Sequence, residues 1–236
     1  MKVIYRISDK GNQKPRPHYV NPVNCFLHFV KVFKGYDIYV VADNIEDSTY
    51  EMLSNHIDQS KIMRTNLSNG GSFIFAVYYA INNFSDEEGV YFAEDDYIYT
   101  KDAPRVIEEG LTIADYSSGY DHPDKYHNHC EGGPNPFISN GGELTRVLVT
   151  QSKHWKFTNS CCMTFATKVK TMKEDYDLYT KYCSGKYCGD FQLFCDLIQN
   201  KQRKLVSCIP GVSTHGETFY LSKFIDWEKE YLQSFE

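Results

Sequence analysis

Short apolar runs alternate with amphipathic stretches along the first half of the chain. Four runs of strand length, at 3–7, 37–42, 61–64 and 89–93, are rich in β-branched and aromatic residues. Between them, apolar side chains recur at helical spacing from Pro22 until Gly35, over 46–55 and over 72–82. Strands that alternate with helices are typical of βαβ units, so we predict an α/β domain with a mainly parallel sheet flanked by helices.

The second half of the chain continues the pattern less regularly. It predicts helices over 103–113, 167–182 and 189–200, and strands over 115–120, 143–150 and 204–209. Between them, residues 121–142 form a polar stretch with four glycines and three prolines. Because loops of this length are usually functional or disordered, we interpret this stretch as a mobile cover over a binding site.

Length and charge narrow the class of protein. A chain of 236 residues fits one α/β domain. The net charge of −6 argues against a nucleic-acid groove, so an anionic ligand must be bound locally, through a metal ion or backbone N–H groups. No apolar run approaches the roughly 18 residues of a membrane span, and no secretory leader is visible. We therefore expect a monomeric cytoplasmic protein whose eight cysteines are reduced.

An acidic triplet follows the apolar run at 89–93. Glu94, Asp95 and Asp96 stand side by side where a predicted buried strand ends. Open α/β sheets bind ligands at the carboxyl ends of their strands, and carboxylates that repel one another attract a hard cation such as Mg²⁺ or Mn²⁺. On this segment alone, a solvated acidic turn is an equally good interpretation.

Two later residues could complete such a site. His215 follows the last predicted strand between Gly211 and Gly216, and imidazole is a good Mn²⁺ ligand, although an isolated loop histidine is more often a capping or exposed residue. Asp190 opens the predicted helix at 189–200. It could serve as a helix N-cap or as a general base that accepts a proton from a hydroxyl group.

Several motifs in collinear order resemble those of GT-A glycosyltransferases. They are YRISDKGN, VVADN, NGGSF, YFAEDDY, YDHPDKY, GDFQLF and IPGVSTHGET. They are most similar to a small family that includes the N-terminal glycosyltransferase domain of a chlorella-virus protein that glycosylates the major capsid protein. The resemblance implies a single GT-A-type, Rossmann-like domain with a nucleotide-binding half at 1–96 and an acceptor-binding half at 97–236. For a viral member it also implies the host cytoplasm.

The resemblance implies a role for each matching position. Nucleotide-sugar contacts fall to Arg6, Ser8, Asp9, Asp43, Asn44, Asn69, Ser72, Glu94 and Asp95. Asp96 and His215 would hold Mn²⁺ or Mg²⁺, and Asp190 would be the base of an inverting transfer from a UDP-sugar donor to a glycan or glycoprotein acceptor. Acceptor contacts are assigned to Asp121, His122, Trp155 and Asn159.

Two other functions stay open at this point. A non-catalytic module that binds sugar nucleotides would share the donor site and would not need Asp190. A nucleotidyltransferase would also use acidic residues and Mg²⁺ on an α/β sheet. It normally carries a glycine-rich, basic phosphate loop after its first strand, which residues 7–17 approximate poorly.

Overall fold

The computed structural model describes residues 1–11 and 14–236. The strands are β1 Lys2–Ile7, β2 Asp37–Asp43, β3 Ile62–Thr65, β4 Gly89–Glu94, β5 Tyr97–Tyr99, β6 Tyr116–Ser118, β7 Val147–Val149, β8 His154–Phe157, β9 Phe165–Lys168, β10 Leu205–Ile209 and β11 Ser213–His215. The helices are α1 Pro22–Val32, α2 Asp47–Ser54, α3 Ser68–Asn83, α4 Ala103–Gly110, α5 Val169–Cys183, α6 Asp190–Lys201 and α7 Trp227–Gln233.

In these described ranges, one mixed sheet of nine strands runs in the order β3-β2-β1-β4-β9-β6-β10-β8-β7. The neighbours from β3 to β4 are parallel, as are β6 and β10. β9 lies antiparallel between β4 and β6, and β8 pairs antiparallel with β10 and β7. β5 and β11 form a separate antiparallel ladder. The prediction of a single α/β domain with a mainly parallel sheet is confirmed.

Both faces of the sheet are buried. In β1, Tyr5 packs toward α1, α2 and α4, whereas Ile4 packs toward α3, α5 and α6. A strand covered on both faces needs apolar residues at successive positions, which is why Val3, Ile4 and Tyr5 are all apolar rather than alternating with polar residues. The parallel strands therefore end together at one edge of a rigid layer.

Several elements differ from the sequence prediction. α3 begins at Ser68 rather than 72, and the strand predicted at 143–150 shortens to β7. β5, β8, β9, β11 and α7 were not predicted. β5 and β11 have three residues each, too few to establish a periodicity, and β8 carries Lys156, a residue type that is rarely buried.

The loop at 121–142 is held against the sheet, in contrast to the mobile cover expected from its length. It contains two short 3₁₀ turns, at Pro123–Tyr126 and His129–Glu131. Charged side chains of the loop and of its surroundings form what we call the anchor network. Its members are Asp121, Asp124, Lys125, Glu143 and Lys156. The Lys156 ammonium lies 3.0 Å from carboxylate oxygens of both Asp121 and Glu143, so it ties the two ends of the loop to β8.

Two further observations concern the chain as a whole. All eight cysteines are free thiols. Within residues 1–11 and 14–236, no helix combines the length and the apolar character that crossing a bilayer requires.

Candidate functional site

A cavity of about 410 Å³ opens at the carboxyl ends of β1, β2 and β4. This is the edge at which open α/β sheets bind ligands. The described residues that line it are Arg6, Ile7, Ser8, Lys10, Gly11, Lys14, Arg16, Asp43, Asn44, Ser68, Asn69, Ser72, Glu94, Asp95, Asp96, Cys162, Met163, Lys186, Tyr187 and His215. Most come from the half predicted to bind the nucleotide, and residues 162, 163, 186, 187 and 215 come from the other half.

The acidic triplet forms one wall of the cavity. Glu94 ends β4 beside Arg6 of β1, whose guanidinium lies 3.3 Å from its carboxylate. The Asp95 carboxylate accepts a hydrogen bond of 2.8 Å from the backbone N–H of Ser8. Burial raises the pKa of Glu94 to about 8, and burial together with the charge of Asp96 raises the pKa of Asp95. Two of the three carboxylates in the wall are therefore harder to ionise than carboxylates in water.

Asp96 differs from its two neighbours because one of its carboxylate oxygens has two basic partners. Its Oδ2 lies 2.9 Å from Nη2 of Arg16 and 3.0 Å from Nε2 of His215. Burial alone would raise the pKa of Asp96, but the His215 and Arg16 side chains lower it below its ordinary value. Asp96 is therefore ionised and already holds cationic groups at the oxygen that faces them.

The β5–β11 ladder brings Asp96 and His215 together. His215 is paired with Tyr97, and the N–H of Gly216 donates a 2.7 Å hydrogen bond to the Asp96 carbonyl oxygen. A Cβ at Gly216 would stand 2.3 Å from Val20 and 2.8 Å from the same carbonyl, so only glycine permits this approach. The ladder fixes the two side chains although 119 positions separate them.

The described residues fit a divalent cation only in part. No group of three or more His, Cys, Asp or Glu side chains among them could hold a metal ion. The Asp96 and His215 pair offers an oxygen and a nitrogen, which suit Mn²⁺ and Mg²⁺, whereas Oε1 of Glu94 already lies 3.3 Å from Nη1 of Arg6. A cation here would take its other ligands from water or from a bound anion.

Most of the predicted nucleotide-binding residues line the cavity, and two of them also or instead make hydrogen bonds that hold the ends of helices. Arg6, Ser8, Asn44, Asn69, Ser72, Glu94 and Asp95 line the cavity, as does Asp43. One oxygen of Asp43 accepts hydrogen bonds from Thr65 and from the N–H of Leu67, so this carboxylate also fixes the start of α3. Asp9 lies outside the lining and accepts hydrogen bonds from the N–H of Glu46 and the hydroxyl of Thr49 at the start of α2.

Basic residues that the sequence analysis did not assign also line the cavity. Lys10, Lys14 and Arg16 follow β1, and Lys186 approaches from the α5–α6 connection. The signal was present in the KGNQKPRP stretch, where three cations follow the first strand within seven residues. That stretch matches no glycine-rich phosphate loop, so its charges were not connected with the acidic triplet.

Asp190 lies behind the cavity wall rather than in it. It is the first residue of α6, with Gly189 at the cap position. Its carboxylate accepts hydrogen bonds from the N–H groups of Cys161, Cys162 and Met163, at 3.2, 3.2 and 3.0 Å. Cys162 and Met163 line the cavity with left-handed φ angles of 49° and 60°, a conformation that non-glycine residues rarely adopt twice in succession. Asp190 therefore holds a strained turn of the wall in place.

The residues assigned to the acceptor make internal contacts. Trp155 is fully buried in the core, and its Nε1 donates to Thr150. Asp121 pairs with Lys156, and His122 lies 2.8 Å from Asp124. The amide oxygen of Asn159 accepts from Lys125 at 2.7 Å and from Asn135 at 3.0 Å. These side chains hold the 121–142 loop, and Trp155 has no surface to offer an acceptor.

Comparison with known proteins places the fold. No protein-family model and no curated protein matches the chain. Among solved structures, a protein assigned as a nucleotide-diphospho-sugar transferase from Desulfovibrio desulfuricans is similar over 88% of this chain and 80% of its own, with 10% identity and a TM-score of 0.51. The 4-diphosphocytidyl-2C-methyl-D-erythritol synthase of Anaerococcus prevotii is similar over 100% of this chain and 96% of its own, with 12% identity and a TM-score of 0.52. The chain has the mixed α/β fold of nucleotide-diphospho-sugar transferases.

Proposed function

We propose that the protein is a GT-A glycosyltransferase that moves a sugar from a nucleoside-diphosphate donor to a hydroxyl group of a glycan or glycoprotein. The observation that carries the proposal is the contact between Asp96 and His215 at the mouth of the cavity. It joins a carboxylate after β4 to an imidazole after β10, beside the strand ends that bind nucleotides in this fold. The eight free cysteines support a reducing compartment such as the cytoplasm.

Different residues of the cavity would contact the nucleoside, the metal ion and the diphosphate of the donor. Ser8, Asn44 and Asn69 offer hydrogen-bonding groups at the ends of β1, β2 and at the start of α3, where a nucleoside would lie. Asp96 and His215 would hold Mn²⁺ or Mg²⁺, which when bound neutralises charge on a leaving diphosphate. Lys10, Lys14 and Lys186 add positive charge to the same cavity and favour an anionic ligand. We propose UDP-sugar as the donor, in line with the resemblance to the chlorella-virus type of small glycosyltransferase.

We further propose that Asp190 is the catalytic base and that the transfer inverts the anomeric configuration. The base of an inverting transfer must reach the acceptor hydroxyl. Asp190 already accepts hydrogen bonds from three N–H groups, which leave about one of the four acceptor positions of its carboxylate for that hydroxyl. An anomer-resolved NMR spectrum of the first product tests this route: a product whose anomeric configuration is opposite to that of the donor is expected, and retention would exclude Asp190 as the base of an inversion.

Nucleotidyl transfer is the second candidate function. Lys10, Lys14 and Arg16 after β1 supply the positive charge that such an enzyme places on a triphosphate, and the Anaerococcus prevotii synthase, whose named product carries a diphosphocytidyl group, is similar in fold over the whole chain. The two functions differ in the nucleotide that they bind. A glycosyltransferase binds nucleoside diphosphates tightly as products, whereas a nucleotidyltransferase prefers a triphosphate.

Calorimetric titration tests the proposed function directly. UDP, GDP, CDP, dTDP and the triphosphates UTP and CTP are titrated with and without Mn²⁺ into the wild type and Asp96→Ala. We expect UDP to bind in the presence of Mn²⁺ and Asp96→Ala to weaken this binding by a factor of about 100, the effect of losing one of two protein ligands. Preference for a triphosphate would favour nucleotidyl transfer, and the absence of any nucleotide binding would refute both functions.

A further inference from the structure

One oxygen of Asp96 is shared by two basic groups. Nη2 of Arg16 lies 2.9 Å and Nε2 of His215 lies 3.0 Å from the same Oδ2. The side chains of Arg16 and Asp96 are 17% and 15% exposed, so water screens this contact only in part. Arg16 thus occupies the oxygen that the proposed function assigns to a divalent cation.

A cation and Arg16 cannot both use this oxygen favourably. Two positive groups on one carboxylate oxygen lie within a few ångströms of each other and repel, and partial burial strengthens that repulsion. A metal ion that binds Oδ2 of Asp96 therefore competes with the Arg16 guanidinium for this oxygen. The cost of breaking the Arg16–Asp96 pair is then subtracted from the affinity of the metal.

The rest of the site offers the metal little compensation. Among residues 1–11 and 14–236, no third His, Cys, Asp or Glu side chain joins Asp96 and His215 as a possible ligand. A nucleoside diphosphate supplies the missing metal ligands and also lowers the cost of breaking the Arg16–Asp96 pair. Its phosphate oxygens can bind the metal and can accept hydrogen bonds from the displaced guanidinium. Arg16 lines the same cavity and lies beside Lys14, so a diphosphate is within reach of its side chain.

We propose that Arg16 is an exchangeable counter-cation, which neutralises Asp96 while the donor site is empty and moves to the diphosphate when metal and nucleotide bind together. This inference rests on the proposed function, because it requires a diphosphate ligand. It explains why a basic side chain is directed at an assigned metal ligand. It also makes the binding of metal and nucleotide mutually dependent. The nucleotide supplies metal ligands and a new partner for Arg16, and the metal frees Arg16 to contact the diphosphate.

Two binding measurements on Arg16→Ala test the exchange. Binding of Mn²⁺ alone is followed by electron paramagnetic resonance, and binding of UDP at saturating Mn²⁺ by calorimetry. We expect the substitution to lower the Kd for Mn²⁺ alone by about 10-fold and to raise the Kd for UDP by about 10-fold, within the usual range of coupling between sites. Arg16→Lys keeps the charge and should lie between the wild type and Arg16→Ala in both measurements.

Arg105→Ala is the matched control. Arg105 also forms ion pairs with carboxylates, Asp102 and Glu109, but it lies on α4 and does not line the cavity. It should leave both dissociation constants unchanged. Thermal unfolding of each variant shows whether the protein is folded under the conditions of binding.

The two effects have opposite signs, which separates the exchange from simpler roles. If Arg16→Ala tightens binding of both Mn²⁺ and UDP, Arg16 only offsets the charge of Asp96, and the exchange is overturned. An unchanged Kd for Mn²⁺ also overturns it, because Arg16 then does not compete with the metal. A wild type that binds no nucleotide, with or without Mn²⁺, refutes the proposed function itself, whereas a wild type that binds UDP with Mn²⁺ while Arg16→Ala behaves identically refutes the exchange alone.

Discussion

Two regions of the molecule hold several charged side chains largely away from water, and they differ in how these charges are paired. In the anchor network, Lys156 lies 3.0 Å from both Asp121 and Glu143, and Lys125 donates to Asn159 and Ser160. In the wall of the cavity, Glu94 contacts Arg6 and Asp96 contacts both Arg16 and His215, whereas the Asp95 carboxylate accepts a hydrogen bond from the N–H of Ser8. The wall is also more exposed to water: the side chains of Glu94 and Asp96 are 16% and 15% exposed, whereas those of Asp121 and Lys156 are 6% and 3% exposed. The two regions therefore differ in both the pairing and the burial of their charges.

The pKa shifts of the two regions reflect this difference. Burial disfavours the Lys156 ammonium, but Asp121 and Glu143 raise its pKa, and His122 lowers the pKa of the buried Asp124. In the cavity, burial raises the pKa of Glu94 to about 8, and Arg6 offsets only part of that shift. We expect paired charges to stabilise the fold, and a carboxylate without a cationic partner to be stabilised only when a ligand binds. The comparison can be tested by changing one charge at a time.

The largest effect is expected from Lys156→Met. The substitution leaves Asp121 and Glu143 buried without their shared cation, and removing one partner of a buried ion pair costs about 3–5 kcal/mol. Denaturant titration measures the loss of unfolding free energy. Lys173→Met is the control, because Lys173 pairs with Asp86 at the surface and should cost less than about 1 kcal/mol. A similar small loss for Lys156→Met would show that the anchor network does not hold the loop.

A smaller loss of unfolding free energy is expected on acidification. It arises from His28, a buried side chain that is hydrogen-bonded but has no carboxylate partner. His28 is fully buried and contacts the N–H of Tyr99 and the hydroxyl of Ser234. Burial lowers its pKa to about 4 from the ordinary 6.5. Between these values the unfolded chain binds a proton that the folded protein does not, so unfolding free energy falls as pH falls from 6.5 to 4, by about 3 kcal/mol in total.

The measurement compares urea titrations of the wild type and His28→Gln at several pH values from 7.5 to 4. Glutamine can accept the Tyr99 hydrogen bond but does not titrate in this range. The difference in unfolding free energy between the two proteins should be constant above pH 6.5 and shift in favour of the variant below it. Parallel profiles would mean that His28 becomes protonated in the folded protein at its ordinary pKa.

The smallest effect on stability, and the one of opposite sign, is expected from Asp95→Asn. The amide keeps an oxygen for the Ser8 N–H and removes a carboxylate whose pKa is raised by burial and by Asp96. Unfolding free energy at pH 8 should rise by about 1 kcal/mol, less than the raised pKa of Asp95 alone would give, because the buried amide also loses contact with water. The Kd for UDP with Mn²⁺ should increase. If the variant is instead less stable by this amount, Asp95 serves the fold as the anchor network does.

The sequence predicted the layered fold because its strands are buried on both faces. A strand-length run that is almost entirely apolar, such as 89–93, has few alternatives once helices flank it, and the strand ends then bring residues 6–8, 43–44 and 94–96 to one edge. The partnership of Asp96 and His215 depends on two three-residue strands, which have no period of their own, so only the resemblance indicated it. Trp155 was expected at the surface, and it is buried because β8 lies inside the sheet.

Charges in unusual places account for the rest of what the sequence did not reveal. Lysine is rarely buried, so nothing in the local pattern marked Lys156 as part of a strand. Arg16 lies in a segment without periodicity, and its contact with Asp96 links positions 80 residues apart. Asp190 was expected as an N-cap or a base, and its three N–H partners come from a turn whose left-handed backbone no residue preference predicts.

The ladder between β5 and β11 also sets the order in which the site can arise during synthesis on the ribosome. β1, β2, β4 and Asp96 are all made within the first 96 residues, but His215 and the strand that positions it follow more than a hundred residues later. A nascent chain that has not yet reached β11 has the strand ends of the cavity without the imidazole beside Asp96. The contact between Asp96 and His215 therefore belongs to the finished fold and cannot appear in its partly synthesised forms.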